Sequence, residues 1–426
     1  MKYILSIILF FLLAGSLFAQ NEQDQVIFKA MQDEMQRSKD QLMLPGMQKP
    51  YYLSYTLGRT RQFEVVGALG GITNFYESPW SAVGGVQMFL GDYDRNNDVN
   101  YACASIQAGM PEQADYDVIR RNFWLGSDAM YKWSLQAGAM KDAYLKANPK
   151  TAEEAAVKDQ QKVAAVTRIE EPKTAYTIDR AKLEGIVEEL SAIFKGYKDI
   201  YDSSVAITGQ EMEVYKSTTD GVVLKEPLRY ASLVVSAYVM TEDGVRIDDA
   251  YSVLVARPDD LPSLDELKKG VKVFADNLIK LKNAPAITEY YAGPVLLEDG
   301  ACSSVFISNF LKRGALFAYR KPDTDRAQSV KTLDARLGMK IVDNRVSIKN
   351  YSSLDKYNGV PLLGAYNIDA EGVVPAKEMT LVDHGIFKSM LNGCIPTLYA
   401  PQSTGSSRFL LSSSNGMFAT APGTIH

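Results

Sequence analysis

The chain has 426 residues, 46% of them hydrophobic, with 46 lysines and arginines against 51 aspartates and glutamates for a formal net charge of -5. So small an imbalance, with no basic block and no aromatic-plus-basic stripe, argues against nucleic acid as a partner. Three cysteines, Cys103, Cys302 and Cys394, are too few and too scattered for a disulfide framework or a paired-cysteine metal knuckle, and read as small buried apolar residues.

The N-terminus reads as a secretory signal peptide over residues 1–19: Met1-Lys2-Tyr3, an apolar run from Ile4 to Phe18, then Ala19 before the polar Asn21-Glu22-Gln23-Asp24. The run is shorter than the roughly 20 residues of a spanning helix, and no second one follows. In Leu13-Ala14-Gly15-Ser16 a serine stands where lipid attachment would need cysteine. The expectation is an exported, periplasmic protein with no membrane anchor.

From Val26 to Leu44, Val26, Ile27, Ala30, Met31, Met35 and Leu42 recur at helical spacing among charges. Aromatic and β-branched runs at 51–57, 63–68 and 82–90 then read as antiparallel strands. A second helix is expected from Tyr116 to Lys146, and 148–172, rich in Ala, Lys, Glu and Gln, as a charged arm or linker. Asp179 to Tyr197 is amphipathic again. Strands are expected at 203–207, 211–216, 231–240 and 246–255, and a further helix at 264–281. Asn283-Ala284-Pro285 marks a boundary. Helices and strands in blocks indicate an α+β fold of antiparallel sheets with packed helices. Two domains follow: an N-terminal one over 22–284 and a β-rich one over 285–426.

Histidine is scarce: only His384 and His426 occur, so no site can rest on two clustered imidazoles, the usual catalytic zinc arrangement. Glu298-Asp299-Gly300 reads as a helix start with Asp299 as N-cap and Cys302, Val305, Phe306 and Phe310 along one apolar face. The small Gly300, Ala301, Ser303 and Ser304 would admit close approach of a peptide backbone.

Asp92-Tyr93-Asp94-Arg95-Asn96-Asn97-Asp98 spaces its oxygen side chains like the start of a calcium loop, but Asn97 replaces the glycine and Cys103 the final glutamate, so a polar turn is expected. Asp383-His384-Gly385 suits a hairpin turn. A Cys302/His384 nucleophile pair would satisfy thiol chemistry, but nothing in the sequence places the two together. Asp369 and Glu371, with Gly372, read as turn-forming groups; acid/base work would require opposed environments.

Several segments resemble the TldD/PmbA family, also called modulators of DNA gyrase, in its exported bacterial branch. They are Pro50-Tyr51-Tyr52-Leu53-Ser54-Tyr55, Gly91-Asp92-Tyr93, Asn122 through Lys132, Tyr291 through Glu298, Asp369-Ala370-Glu371-Gly372, and Thr404-Gly405-Ser406-Ser407-Arg408, in family order. The resemblance implies a peptidase-related fold with two kinds of subunit, one bearing His-Glu-x-x-x-His after a Pro-Val-Leu-Leu-like strand and one lacking it. Aligned from Pro294-Val295-Leu296-Leu297, the motif positions fall on Glu298, Asp299 and Ser303, so this chain resembles the metal-free kind or a degenerate metal-bearing one. No cofactor is then expected here, and zinc only in a TldD-like paralogous partner. Gly300, Ala301, Ser304 and Arg408 become peptide-contact candidates, although Ser406-Ser407 stand where a histidine often precedes the arginine. The family carries a cysteine ligand and closing strands beyond the stretch matching 421–426, so the C-terminal domain is expected to be incomplete, and Cys394 is not promoted in that ligand's place.

The functional expectation is the non-metal-binding subunit of a periplasmic metallopeptidase assembly acting on unfolded peptides. Two alternatives stand beside it: a stand-alone peptide- or glycan-binding module, and an active metallopeptidase with unusual ligands such as Glu298.

Overall fold

The computed structural model describes residues 22–99, 104–106, 110–311, 315–325, 333–410 and 418–426. The proposed leader and Cys103 lie outside them. The architecture is α+β, built on one eight-stranded, almost wholly antiparallel sheet. Its helix α1 (Glu22–Gln41) is followed by β1 (Pro50–Ala68), β2 (Gly71–Glu77), β3 (Ser81–Leu90) and β4 (Ala104–Ile106). Next come α2 (Tyr116–Ala147), the short α3 (Ala152–Ala155), β5 (Val166–Ile169) and α4 (Arg180–Ala192). Then β6 (Ile200–Thr218), β7 (Val222–Met240), β8 (Arg246–Val255) and α5 (Leu264–Lys282) complete the layer. The strand order is β4-β3-β1-β6-β7-β5, with β2 also on β1 and β8 also on β7.

The sequence suggested pairs of short strands at 51–57 with 63–68 and at 203–207 with 211–216; each pair is one unbroken strand of 19 residues. The charged residues between the apolar runs keep the period-2 alternation, so they continue the pleat and do not end it. Gly209, in the middle of β6, is required by packing: a Cβ there would run into the Tyr176 hydroxyl and the Phe63 ring. Tyr176 in turn donates to the Tyr230 carbonyl at 2.7 Å.

One sheet face carries two apolar layers. Leu53, Tyr55 and Leu57 of β1, with Val86 and Met88, pack against α1 and α2 through Ile27, Met31, Ile119 and Phe123. Further along, Phe63 and Val65, with Val205, Ile207, Leu233 and Val235, pack against α4 and α5 through Val187, Leu190, Val271 and Leu278. Between the layers, Arg59 and Arg61 alternate onto the same face and pair with Glu213 at 2.7 Å and Glu211 at 2.8 Å, under the Trp80 ring.

The 148–172 stretch is not simply a solvated arm. After the capped turn of α3 it runs onto the sheet, where β5 pairs in parallel with β7 and Val163 and Val166 pack on Val222, Leu224 and Ile368. Its few apolar residues are the ones that make contact.

The C-terminal part holds α6 (Asp299–Phe306), β9 (Ile348–Tyr351), β10 (Lys356–Tyr357), β11 (Val360–Pro361), β12 (Glu378–Asp383), β13 (Ile386–Phe387), β14 (Ser407–Phe409), β15 (Phe418–Thr420) and β16 (Thr424–Ile425). A four-stranded sheet, β13-β12-β9-β16, packs Ile348, Leu381, Val382 and Phe387 on Leu316 and Leu391. His384 forms the expected β12–β13 turn, with φ 45° and Gly385 following at φ 79°. Among the described residues, no helix is long and apolar enough to cross a membrane.

Candidate functional site

The sheet face opposite the helices is polar at one end, because β1 alternation places Tyr52, Ser54 and Thr56 there, and β3 adds Gln87 and Phe89. The C-terminal part lies over this end through Ala370, Phe409 and Phe418, which pack on Met212 and Val214 of β6. Between the two remains a cavity of about 380 Å³, walled on the C-terminal side by Glu371, Asn392, Gly393, Cys394 and Ser407. This is within the size range of small-molecule sites.

Its C-terminal wall is set by one turn. Asp369 Oδ1 accepts from the amides of Glu371 at 2.9 Å and Val373 at 2.8 Å, and Oδ2 from the amide of Ser407 at 3.1 Å. Gly372 completes the turn at φ 91°. The turn-forming role expected for Asp369 is therefore observed, and it tethers β14 as well. Glu371 Oε2 accepts from the Cys394 amide at 2.7 Å and from the Ser407 hydroxyl. A Cβ on Gly393 would lie 2.5 Å from Ser407 Oγ and 2.7 Å from Glu371 Oε2, so only glycine lets the wall close around that carboxylate.

Burial, with the neighbouring Glu371 carboxylate, pushes Asp369 up to about 7 against its three amide donors. Burial, with the same two carboxylates, raises the Cys394 thiol far above its ordinary value, which removes it as a thiolate nucleophile. Burial, Glu371 and Cys394 likewise keep the Tyr52 hydroxyl protonated, and its ring stacks on Phe89 at 5.5 Å. At the opposite end of the cavity the charges are matched. Asp159 accepts from Lys141 at 2.6 Å, from Arg320 and from the Asn96 amide at 2.9 Å. Burial would raise this carboxyl, but those partners outweigh it and hold it low.

Arg408 faces a second, larger cleft of about 1030 Å³. Its guanidinium lies 3.8 Å from the centroid of the Tyr366 ring, donates to the Gly364 carbonyl at 3.0 Å and stands 4.0 Å from Glu226. Burial pushes Glu226 up to about 7, with Arg408 opposing.

The remaining sequence candidates lie elsewhere. Glu298, Gly300, Ala301, Ser303 and Ser304 are exposed on or beside α6, and Gly300 has open space around it. Glu298, not Asp299, is the N-cap, with no capping bond from its side chain; α6 begins at Asp299, whose side chain lies outside the described residues. Phe306 and Phe310 turn inward and stack at 5.0 Å, whereas Cys302 is exposed. Asp92 forms a polar turn, accepting from the amides of Asp94 and Arg95 at 2.9 and 2.8 Å. His384 reaches from its hairpin to the Asn344 carbonyl in the loop before β9, and His426 approaches Tyr357. Among the described residues, no three His, Cys, Asp or Glu side chains are arranged to hold a metal ion.

Sequence reasoning singled out Asp369, Glu371 and the Thr404–Arg408 loop but not the cavity they close with Tyr52, Phe89 and Gly393. Those partners come from opposite ends of the chain, and no local pattern joins them.

No family model matches the chain, and no curated protein matches it. Solved structures do. A candidate modulator of a DNA gyrase from Thermotoga maritima superposes with a TM-score of 0.56 at 13% identity, over 89% of this chain and 74% of that one. TldE from Thermococcus kodakarensis gives 0.51 at 12%, over 93% and 77%. A candidate modulator of DNA gyrase from Bacteroides thetaiotaomicron gives 0.55 at 11%, over 95% and 89%. The two-part α+β architecture is that of TldD/PmbA-type proteins. The chain has their fold across nearly its whole described length.

Proposed function

We propose that this chain is the metal-free subunit of an exported TldD/PmbA-type peptidase assembly, working beside a metal-bearing TldD-like paralogue to admit and hold unfolded peptide. The observation that carries this reading is the surface around the motif positions. Residues 285–298 form neither helix nor strand and leave Ile287 89%, Tyr290 95% and Leu296 83% exposed, immediately before α6. Large apolar groups clustered in this way mark surface that another chain covers. The scarcity of histidine adds to it, since the positions matching His-Glu-x-x-x-His are Glu298, Asp299 and Ser303. An unfolded peptide would pair through its main chain with a free strand, which tolerates varied side chains.

The test is co-expression of the full chain with a paralogue carrying the histidine motif. A mixed assembly should form, and chelator-sensitive cleavage of an unstructured peptide should require both chains. A stable monomer that ignores the paralogue, or chelator-sensitive cleavage by this chain alone, would contradict the proposal. Export is tested separately by fractionation, with the mature N-terminus expected after residue 19.

A further inference from the structure

The molecule neutralises its buried acids in one consistent way, with one departure. Asp24 lies 2.7 Å from Lys225, Glu34 2.5 Å from Arg37, Glu211 2.8 Å from Arg61, and Asp323 2.8 Å from Lys150. Asp369 is as buried as these, at 1% exposure, yet neither it nor the adjoining Glu371 has a cationic partner among the described residues. Uncompensated carboxylates are costly in a low-dielectric wall. Of the two, Glu371 lines a cavity.

The cavity's remaining chemistry narrows what would supply the missing charge. The Cys394 amide and the Ser407 hydroxyl both bond to Glu371 Oε2, and the Cys394 thiol also hydrogen-bonds to this carboxylate, so every donor it has is a neutral group. Tyr52, held as a hydroxyl, stands at the same end. The walls beside it are aromatic, with Tyr52 stacked on Phe89 and Phe418 opposite. The other charged lining groups are engaged: Arg320 with Asp159 and the Lys158 carbonyl, and Asp159 also with Lys141. Lys216, buried on this sheet face, points its Nζ at the Phe418 ring, 4.1 Å from the centroid. A bare metal ion is poorly served, because among the described residues no third His, Cys, Asp or Glu is arranged with the pair to hold one. An ammonium group on an apolar body meets both needs, bonding to the carboxylate while aromatic faces cover its carbon and stabilise its charge.

We infer that the cavity between the β1–β3 face and the 369–373 turn binds a primary ammonium compound with a compact apolar body, the ammonium on Glu371 and the body between Tyr52, Phe89 and Phe418. This inference rests on the cavity alone and is independent of the assembly reading.

Calorimetric titration of the full chain with 2-phenylethylamine, and with 2-phenylethanol as its uncharged isostere, tests it. The amine should bind, with the alcohol weaker by about 10- to 100-fold, the value of one charge-assisted hydrogen bond. Glu371→Gln should lose the amine by a similar factor and leave the alcohol unchanged. Equal affinity for amine and alcohol, or no amine binding at all, would overturn the inference. If Glu371→Gln fails to fold, the wild-type comparison decides alone. A dipeptide with free N-terminal phenylalanine and its N-acetylated form identify the source: binding of the free form only assigns a peptide N-terminus, and binding of neither, with the amine still bound, assigns a small free amine.

Discussion

Two regions of this molecule bury carboxylates, and they do it by opposite means. On the helix-covered face of the large sheet, Asp24 meets Lys225, Glu211 meets Arg61 and Arg229, and Glu213 meets Arg59, so a charged belt sits closed between two apolar layers. On the other face, Asp369 is held by three backbone amides and Glu371 by one amide, one hydroxyl and the Cys394 thiol, beside a cavity and without a cation among the described residues. The first arrangement is self-sufficient and belongs to the scaffold. The second leaves the Glu371 carboxylate on a cavity wall with neutral donors only, which is what an ammonium site requires.

The contrast breaks most severely where the belt loses one partner. Lys225→Met leaves Asp24 buried without its cation and should cost about 3–5 kcal/mol in urea denaturation, whereas adding Asp24→Leu should recover much of that loss. Gly393→Ala pushes a methyl group against Ser407 and Glu371, and should cost about 1–3 kcal/mol while abolishing amine binding.

The pH dependence sharpens the contrast further. Asp369 titrates near 7 in the folded chain against an ordinary 3.8, so the folded state binds more protons than the unfolded state in that window. Its contribution therefore favours folding below about 4 and is lost as pH rises toward 7, with a slope of at most about 1.4 kcal/mol per pH unit. Asp369→Asn should flatten that part of the stability profile, and a bound ammonium should flatten it too. The smallest effect is expected far from both regions: Ser263→Ala removes the capping box with Glu266 that starts α5, for about 1 kcal/mol in thermal or urea unfolding.

Much of the fold was legible because its signals are local. The helix expected at 264–281 is found at Leu264–Lys282, and the one at Tyr116–Lys146 ends a single residue later. Strand lengths were underestimated, since Arg59, Arg61, Glu211 and Glu213 resemble loop residues until it is seen that they pair with one another across β1 and β6. The 148–172 stretch looked solvated because only a handful of its residues are apolar, and those are the ones that touch the sheet.

The candidate site was half legible. Asp369, Glu371 and Arg408 stood out by residue type, but Asp369 is joined to an amide 38 residues away, and Tyr52 reaches the same wall from the start of the chain. Long-range closure of this kind leaves no period or spacing in the sequence. Of the matched positions, Glu298 and Ser303 are exposed at the start of α6, apart from that wall, which is why the assembly reading and the cavity reading are tested by different experiments.

The most direct test of the contrast is a carbon-13 carboxyl NMR titration of the free protein, with Asp369 assigned by difference against Asp369→Asn. The account predicts that Asp369 takes up a proton near pH 7 and that a saturating primary amine moves this step to lower pH. Titration of Asp369 near its ordinary 3.8, unmoved by the amine, would contradict it.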